Sequence, residues 1–298
     1  MSSQKRRIIG AMCAIEREFS MIKKCFEREL QSEDHCGRTF YIGKISGQTV
    51  VISKSGIGKV AAASTAAIMI SVFSCSEIIF LGVAGGIQGR AAIGDIVVSA
   101  AAIQHDFDGR PWVERSVVFS VGTCEIPADE RLQTRAQAAV QTVLADDMTL
   151  VLSDDSVPIG RRILAQLGRS PKLLIGSILS GDQFVSSDEM NKELGSRFES
   201  ALCVEMEGAA VAQICYEAKV PYIIVRAISD SGSGEANIQF DEFCNSISSP
   251  LMLAILKSYL ASTSEFDYGA MSALIIIQFS IRCRHLTQRS PMEKWSSE

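Results

Sequence analysis

The chain contains 298 residues, of which 47% are hydrophobic and 21% are charged, and its formal net charge is −5. This composition supports a large hydrophobic core and argues against extensive disorder. Because the acidic balance provides no broad basic surface, nucleic acid is not expected as a partner.

Apolar strands and amphipathic helices alternate along the first half of the chain. Residues 8–14 are predicted as a buried strand, and residues 18–30 as a helix whose apolar face carries Phe19, Ile22 and Phe26. The elements predicted next are a hairpin with strands at 39–45 and 49–53, an Ala-rich helix from 59 to 73, and strands at 78–81 and 95–103.

The alternation continues through the second half. Helices are predicted at 128–144, 205–218 and 240–260, and strands at 173–179 and 221–228. Because no linker interrupts this order, residues 1–262 are predicted to form one α/β domain. The remaining residues, 263–298, are predicted to be a C-terminal extension, to which the sequence assigns no role. Their apolar run is shorter than the roughly 20 residues needed to span a bilayer, so no membrane association is expected.

The nine cysteines are odd in number, and no two have Cys-x-x-Cys spacing. Several lie in apolar runs, where a free Cys behaves as a small hydrophobe. We therefore expect reduced thiols and a cytoplasmic protein. The apolar run at 8–12 is too short for the core of a signal peptide.

Segment 55–60 (SGIGKV) has the appearance of a phosphate-binding loop but lacks two required residues. Ser53 stands where that loop needs Gly, and Val60 stands where it needs a hydroxyl for magnesium. Nucleoside triphosphate hydrolysis is therefore not expected. The three histidines are scattered, so no metal centre is predicted. His105 and Asp106, at a strand end, are interpreted as a structural hydrogen-bonded pair in preference to a catalytic one.

Three carboxylates, Glu205, Glu207 and Asp230, lie where an apolar strand gives way to another structure. Ligands of α/β folds bind at strand ends, so these acids are candidates for chemistry. Taken singly, each has a structural alternative. The two glutamates also fit the first turn of a helix, and Asp230 also fits a turn or a helix cap.

Two turns after predicted strands have the composition of ligand-binding loops. Segment 82–86 (GVAGG), which includes Ala84 and Gly85, lets the backbone approach a ligand closely. Segment 180–185 (SGDQFV) carries Phe184, on which a flat base could stack. A tight turn with a core Phe explains the second segment equally well.

The chain resembles the 5′-methylthioadenosine/S-adenosylhomocysteine nucleosidases of the nucleoside phosphorylase superfamily. The likeness runs in order from about residue 7 to residue 260. The motifs that carry it are GIGKVAA at 56–62, GVAGG at 82–86, GDIVVS at 94–99, SGDQFV at 180–185, VEMEG at 204–208, VRAISD at 225–230 and FDEF at 240–243.

The resemblance implies a three-layer αβα fold with a central mixed, partly barrel-like sheet. It also implies hydrolysis of the N-glycosidic bond of a small-molecule nucleoside, in a homodimer that needs no metal or organic cofactor. In this family the residue at Asp230 donates a proton to purine N7 and Ser229 holds it. The residue at Glu207 binds the ribose hydroxyls, and Met206 packs on the sugar.

Other implied contacts complete the substrate site. Phe184 would stack on adenine, and the backbone of Val185 would read the edge of the base. Phe240 would line the pocket for the 5′-alkylthio group. Glu205 and Arg226 would support the ribose site.

The general base has two candidates. Glu18 keeps the family spacing of four residues after Ala14, whereas an alignment on residues 10–12 puts Ile15 at the base position, next to Glu16. Because a hydrolase needs an acid there, Glu18 is favoured and Glu16 is held in reserve.

Two departures from the family pattern leave questions open. Segment 108–112 (DGRPW) replaces a Pro/Gly-rich stretch, so preference among methylthioadenosine, S-adenosylhomocysteine and 5′-deoxyadenosine is not assigned. The extension from 263 has no counterpart. A phosphorylase is the nearest alternative, disfavoured because segment 78–83 lacks an Arg and a Ser or Thr for phosphate, although Arg90, Arg110 or Arg115 could reach the site. A non-catalytic nucleoside-binding protein is the second alternative.

Overall fold

A computed structural model of the chain describes residues 7–26, 30–145, 168–230 and 243–262. The chain divides into two units, Met1–Ala261 and Ser262–Glu298, and all ten strands and six helices that the structure describes belong to the first. The extension predicted at 263–298 lies outside the described residues, as does Phe240.

Ten strands and six α-helices are present in the part of the chain that the structure describes. The strands are β1 (Ile9–Cys13), β2 (Gln31–His35), β3 (Arg38–Ile45), β4 (Gln48–Lys54), β5 (Glu77–Gly86), β6 (Ile96–Gln104), β7 (Ile126–Pro127), β8 (Leu173–Ser180), β9 (Ala201–Glu205) and β10 (Tyr222–Asp230). The helices are α1 (Glu16–Lys23), α2 (Lys59–Ser71), α3 (Glu130–Ala145), α4 (Asp188–Arg197), α5 (Gly208–Ala218) and α6 (Ser249–Ala261). A π-helical turn, Cys244–Ser248, leads into α6.

Strand β5 joins an open sheet to a closed ring. Near its start Ile78 pairs with Gly10 of β1 on one side and with Tyr222 of β10 on the other. At its end Gly85 pairs with Val204 of β9. Since β9, β8, β6 and β10 pair in that order and β10 returns to β5, five strands close into a ring. Strands β1, β4, β3 and β2 continue the sheet outward from β5, which confirms the predicted mixed, partly barrel-like sheet.

Helices cover both faces of the sheet because successive strand residues point to opposite sides. Ile79 and Leu81 of β5 pack in the core under α1, α3 and α6. Ile78 and Phe80 pack in the opposite core, under α2 and α5. The three-layer αβα prediction is confirmed. No helix in the described ranges is long and apolar enough to cross a membrane.

Several predicted boundaries were wrong. The first helix ends at Lys23 instead of residue 30, and β2 follows as an edge strand antiparallel to β3. Strand β2 is mostly exposed and polar, so it lacks the apolar alternation that identifies strands. The helix predicted from Glu205 begins at Gly208, because Glu205 is the last residue of β9 and pairs with Ser180 of β8. Strands β7 and β9 and helix α4 were not predicted.

Candidate active site

One cavity opens where β5, β9 and β10 end. Its lining includes every candidate site residue that the structure describes: Glu18, Ala84, Gly85, Phe184, Val185, Glu205, Met206, Glu207, Ser229 and Asp230. These residues come from five separate stretches of sequence, which the fold brings to one end of the sheet. Arg226, Ile57, Gly82 and Gln183 also line the cavity.

The floor of the cavity is a buried ion pair between Glu205 and Arg226. Arg226 Nη2 donates to Glu205 Oε2 at 2.6 Å, and its guanidinium carbon lies 4.2 Å from the centre of the Phe80 ring. The Glu205 carboxylate also accepts hydrogen bonds from Ser180 Oγ and from the backbone N–H groups of Glu207 and Gly208. A carboxylate with this many donors is held in place, so it shapes the site and orients its neighbours.

Gly82 leaves room for this pair. A Cβ atom at Gly82 would lie 2.9 Å from Arg226 Nη1 and 3.2 Å from Glu18 Oε1. The glycine therefore lets a guanidinium and a second carboxylate approach the β5 backbone closely.

Glu207 immediately precedes α5 and lines the cavity. Its Oε1 accepts a hydrogen bond of 2.8 Å from the backbone N–H of Gly58. Burial, and after it the charge of Glu205, raise the pKa of Glu207. The carboxyl group is thus anchored by the Gly58 N–H in the wall of the cavity.

Glu18 and Glu16 occupy opposite environments although both begin α1. Glu18 is 3% exposed and lines the cavity, and its Oε2 accepts from the backbone N–H of Ile15 at 3.4 Å. Burial raises the pKa of Glu18 to about 7, against the lowering effect of Arg226. Glu16 is exposed, lies outside the cavity and pairs with Lys54 at 2.5 Å, and its hydrogen bond with Lys54 lowers its pKa.

Asp230 lies at the end of β10, next to an irregularity in the strand. The pairing register with β5 shifts between Ile228 and Asp230, as at a β-bulge, and bulges beside active sites re-aim side chains. Asp230 is 5% exposed, and its Oδ2 accepts from Ser229 Oγ at 2.9 Å. Ser229 Oγ also lies 3.3 Å from the Ala84 carbonyl oxygen, so its single hydroxyl proton has two acceptors within reach, of which Asp230 is the nearer.

The rim of the cavity carries an aromatic ring on an exposed turn. Phe184 is 65% exposed, which contradicts its alternative interpretation as a core Phe, whereas the neighbouring Val185 is buried. Both follow β8, whose last residue Ser180 bonds to Glu205.

The expected hydrogen bond between His105 and Asp106 is absent. The Asp106 carboxylate accepts instead from Lys59 Nζ at 2.7 Å and from the backbone N–H of Asp182 at 2.9 Å. His105 Nε2 is buried without a hydrogen-bond partner in the described structure, and burial lowers the pKa of the ring, which favours its neutral form. His105 does not line the cavity.

Sequence reasoning assigned no role to Ile57 or Gly58, which also reach the site. Both belong to segment 55–60, which failed as a phosphate loop. The two glycines of that segment have positive φ, +81° at Gly56 and +98° at Gly58. The glycine spacing therefore did mark a loop at the site, but it was compared only with a loop that binds nucleoside triphosphate. The described residues contain no group of three His, Cys, Asp or Glu side chains placed to hold a metal ion.

Comparisons with known proteins agree with this geometry. The family model of the phosphorylase superfamily matches residues 8–261. The 5′-methylthioadenosine/S-adenosylhomocysteine nucleosidase of Staphylococcus carnosus is 36% identical over 255 residues, covering 84% of this chain and 100% of that protein. The chain belongs to this nucleosidase family of the phosphorylase superfamily. The family's enzyme from Colwellia psychrerythraea is 33% identical over 259 residues, with 85% and 95% covered.

Solved structures of the nucleosidase family share the fold. The enzyme from Neisseria meningitidis in complex with methylthio-immucillin-A aligns with a TM-score of 0.72 and 27% identity, covering 86% of this chain and 99% of that one. The futalosine hydrolase of Helicobacter pylori aligns with a TM-score of 0.70 and 29% identity, covering 87% and 99%.

Proposed function

We propose that this chain hydrolyses the N-glycosidic bond of 5′-methylthioadenosine and S-adenosylhomocysteine. The products are adenine and the corresponding 5-thioribose compound, as methionine salvage and removal of S-adenosylhomocysteine require. The observation that carries the proposal is the convergence of Glu18, Glu207 and Asp230 on one cavity. These three carboxylates have different partners, so they are suited to different roles.

Asp230 is assigned the leaving-group acid. Glycosidic cleavage proceeds through an oxocarbenium-like ribosyl cation, and adenine leaves readily once N7 is protonated. The hydrogen bond from Ser229 fixes the Asp230 carboxyl at the strand end, where it would donate that proton.

Glu18 is assigned the general base. With a pKa of about 7 it is partly ionised near neutral pH, the range in which a carboxylate is basic enough to accept a proton from water attacking C1′. Glu16, exposed and paired with Lys54, does not face the cavity.

The remaining lining residues are assigned to substrate binding. Glu207 would accept hydrogen bonds from the ribose hydroxyls, with Met206 packed against the sugar. Glu205 would hold the backbone of Glu207, and Phe184 and Val185 would bind adenine. Phe240 retains its proposed place in the 5′-alkylthio pocket, although it lies outside the described residues.

The arginines favour hydrolysis over phosphorolysis. Arg226 is the only cation among the described lining residues, and Glu205 already holds it. Arg90 donates to the carbonyl oxygens of Phe198, Ala201 and Gly195. Arg110 pairs with Asp108 away from the cavity. Phosphate binding usually uses free charged donors, and these arginines are engaged elsewhere.

A homodimer is also proposed, with an apolar rim as its contact surface. Ile57 is 64% exposed and lines the cavity together with the exposed Phe184, and Val60, three residues further along, is 80% exposed. Large apolar side chains clustered at a cavity mouth are typical of surfaces that a second protein covers. Replacing Val60 with Asp should shift sedimentation from dimer to monomer, and a wild-type monomer at micromolar concentration would contradict the proposal.

The proposed boundaries are a nucleosidase domain at 1–262 and an extension at 263–298. The family match at 8–261 supports this division. The proposed location is the cytoplasm. None of the eight cysteines in the described ranges is in a disulfide, as expected of a reducing compartment.

The test of function is adenine release from methylthioadenosine and from S-adenosylhomocysteine. Asp230→Asn is the matched variant, because its amide can still donate a hydrogen bond to N7 but cannot transfer a proton. We expect kcat to fall by about 10²–10⁴-fold with substrate binding retained. Near-wild-type turnover in Asp230→Asn would remove Asp230 from the acid role, and an inactive wild-type protein would contradict the proposed function.

A further inference from the structure

The start of α2 binds carboxylates from two other parts of the chain. Gly58, which precedes the helix, has no side chain to cap it, so the first N–H groups need partners from elsewhere. The N–H of Gly58 donates to Glu207 Oε1 at 2.8 Å, and the N–H of Lys59 donates to Asp182 Oδ1 at 2.7 Å. The positive end of the helix also favours these negative groups.

Lys59, Asp106 and Asp182 form a closed hydrogen-bonded ring, called here the Lys59 ring. Lys59 Nζ donates to Asp106 Oδ1 at 2.7 Å, and the N–H of Asp182 donates to Asp106 Oδ2 at 2.9 Å. The bond from the Lys59 N–H to the Asp182 carboxylate closes the ring. The Lys59 and Asp106 side chains are both partly buried. Burial alone would raise the pKa of Asp106, but the hydrogen bonds from Lys59 and Asp182 lower it.

The Lys59 ring joins the two halves of the cavity. On one side, the residue before Lys59 holds Glu207, which faces the proposed ribose position. On the other side, Asp182 immediately precedes Gln183 and Phe184, which line the proposed adenine position. A Cβ atom at Gly58 would lie 3.1 Å from Asp182 Oδ1, so the Gly58 backbone and the Asp182 side chain are in close contact.

We propose that Lys59 is a positioning residue that keeps the ribose-binding and adenine-binding halves of the site in register. The proposal builds on the function proposed above, because it takes the ligand to be a nucleoside that spans both halves. Adenine alone occupies one half, so its affinity does not depend on the spacing. A nucleoside touches both halves, and a small misplacement of either costs both affinity and rate.

The experiment compares two ligands on the same variants. The inhibition constants of adenine and of a non-hydrolysable methylthioadenosine analogue are measured for wild type, Lys59→Met and Lys59→Arg. Lys54→Met is the matched control, since Lys54 pairs with Glu16 on the surface outside the cavity. In Lys59→Met we expect the analogue to bind about 10- to 100-fold more weakly, as a misplaced site predicts, and adenine to change less than about 3-fold. Lys59→Arg should recover most of the loss, and Lys54→Met should match wild type.

Equal weakening of both ligands in Lys59→Met would overturn the proposal, because that pattern indicates a general loss of structure. Unchanged binding of both ligands would overturn it as well. If Lys59→Met does not fold, Asp106→Asn serves in its place. Its Oδ1 still accepts from Lys59, but its amide nitrogen cannot accept from the Asp182 N–H, so the same selective loss is expected. If wild type binds the analogue but releases no adenine from methylthioadenosine, the proposed function is wrong. The comparison of the two ligands among the variants still tests the role of Lys59.

Discussion

Glu18 and Glu16 are two positions apart on α1, and only Glu18 faces the cavity. We predict that Glu18→Gln lowers kcat by about 10²–10⁴-fold, because Gln can hold the attacking water but cannot accept its proton. Glu16→Gln should stay within about twofold of wild type, since an exposed ion pair contributes little. The measurement is steady-state adenine release with analogue binding as the control. The reverse ranking would move the base to Glu16.

The raised pKa of Glu18 predicts a pH dependence of activity. The base must be ionised to act, so kcat/KM should fall as the pH drops below about 7. The profile between pH 5 and 9 should therefore show an acid limb well above the usual range of a glutamate. A profile that stays flat down to pH 5 would contradict the assignment.

The raised pKa of Glu18 also makes stability depend on pH, but stability falls as the pH rises, whereas activity increases. The folded-state pKa of about 7 exceeds the usual 4.5, so the folded protein binds the proton more tightly than the unfolded chain. The stabilisation from Glu18 is complete below pH 4.5 and is lost as the pH rises through 7. It amounts to about 3 kcal/mol at most. Gln does not titrate, so the free energy of unfolding of Glu18→Gln relative to that of wild type should increase as the pH rises from 5 to 8. Urea unfolding at several pH values measures this difference. A constant difference across that range would contradict the buried-carboxylate account.

At the level of elements, strand β5 packs closely against Arg226 at Gly82. In Gly82→Ala the added methyl would meet Arg226 Nη1 at 2.9 Å, and Arg226 cannot move without breaking its pair with Glu205. We predict a stability loss of about 1–3 kcal/mol and a fall in kcat of about 10²-fold. Gly195→Ala in α4 is the control, because its added methyl would meet only the Ile87 Cγ2 methyl group, at 3.1 Å, and would meet no residue that lines the cavity. A wild-type kcat in Gly82→Ala would contradict this prediction, because it would show that Arg226 can accommodate the methyl group without disturbing the site.

The sequence predicted some elements well and missed others for physical reasons. Strand β1 and the first four residues of β10 are continuous apolar runs, so the positions of these buried strands were clear from the sequence. Strand β9 has only five residues, and its last one, Glu205, looked like a helix residue because α5 begins three positions later. Helix α4 is largely polar, and its main start signal was Ser187, whose Oγ accepts from the Met190 N–H at 3.2 Å.

For the whole molecule, closure of the five-stranded ring was the least accessible feature. The layered α/β class follows from the order of elements, but the return of β10 to β5 depends on pairings between residues more than 100 positions apart. The candidate site residues were nevertheless identified from their motifs, and those that the structure describes line one cavity. The Lys59 ring could not be predicted, because Asp106 and Asp182 become its partners only when β6 and β8 pair.

The central claim is hydrolysis, and product analysis with and without phosphate tests it most directly. The purified protein is incubated with methylthioadenosine in phosphate-free buffer and in buffer with millimolar phosphate. We predict the same rate of adenine release in both, with free 5-methylthioribose as the sugar product, because the arginines discussed above are engaged by protein groups. Adenine release that requires phosphate and yields 5-methylthioribose 1-phosphate would contradict the account.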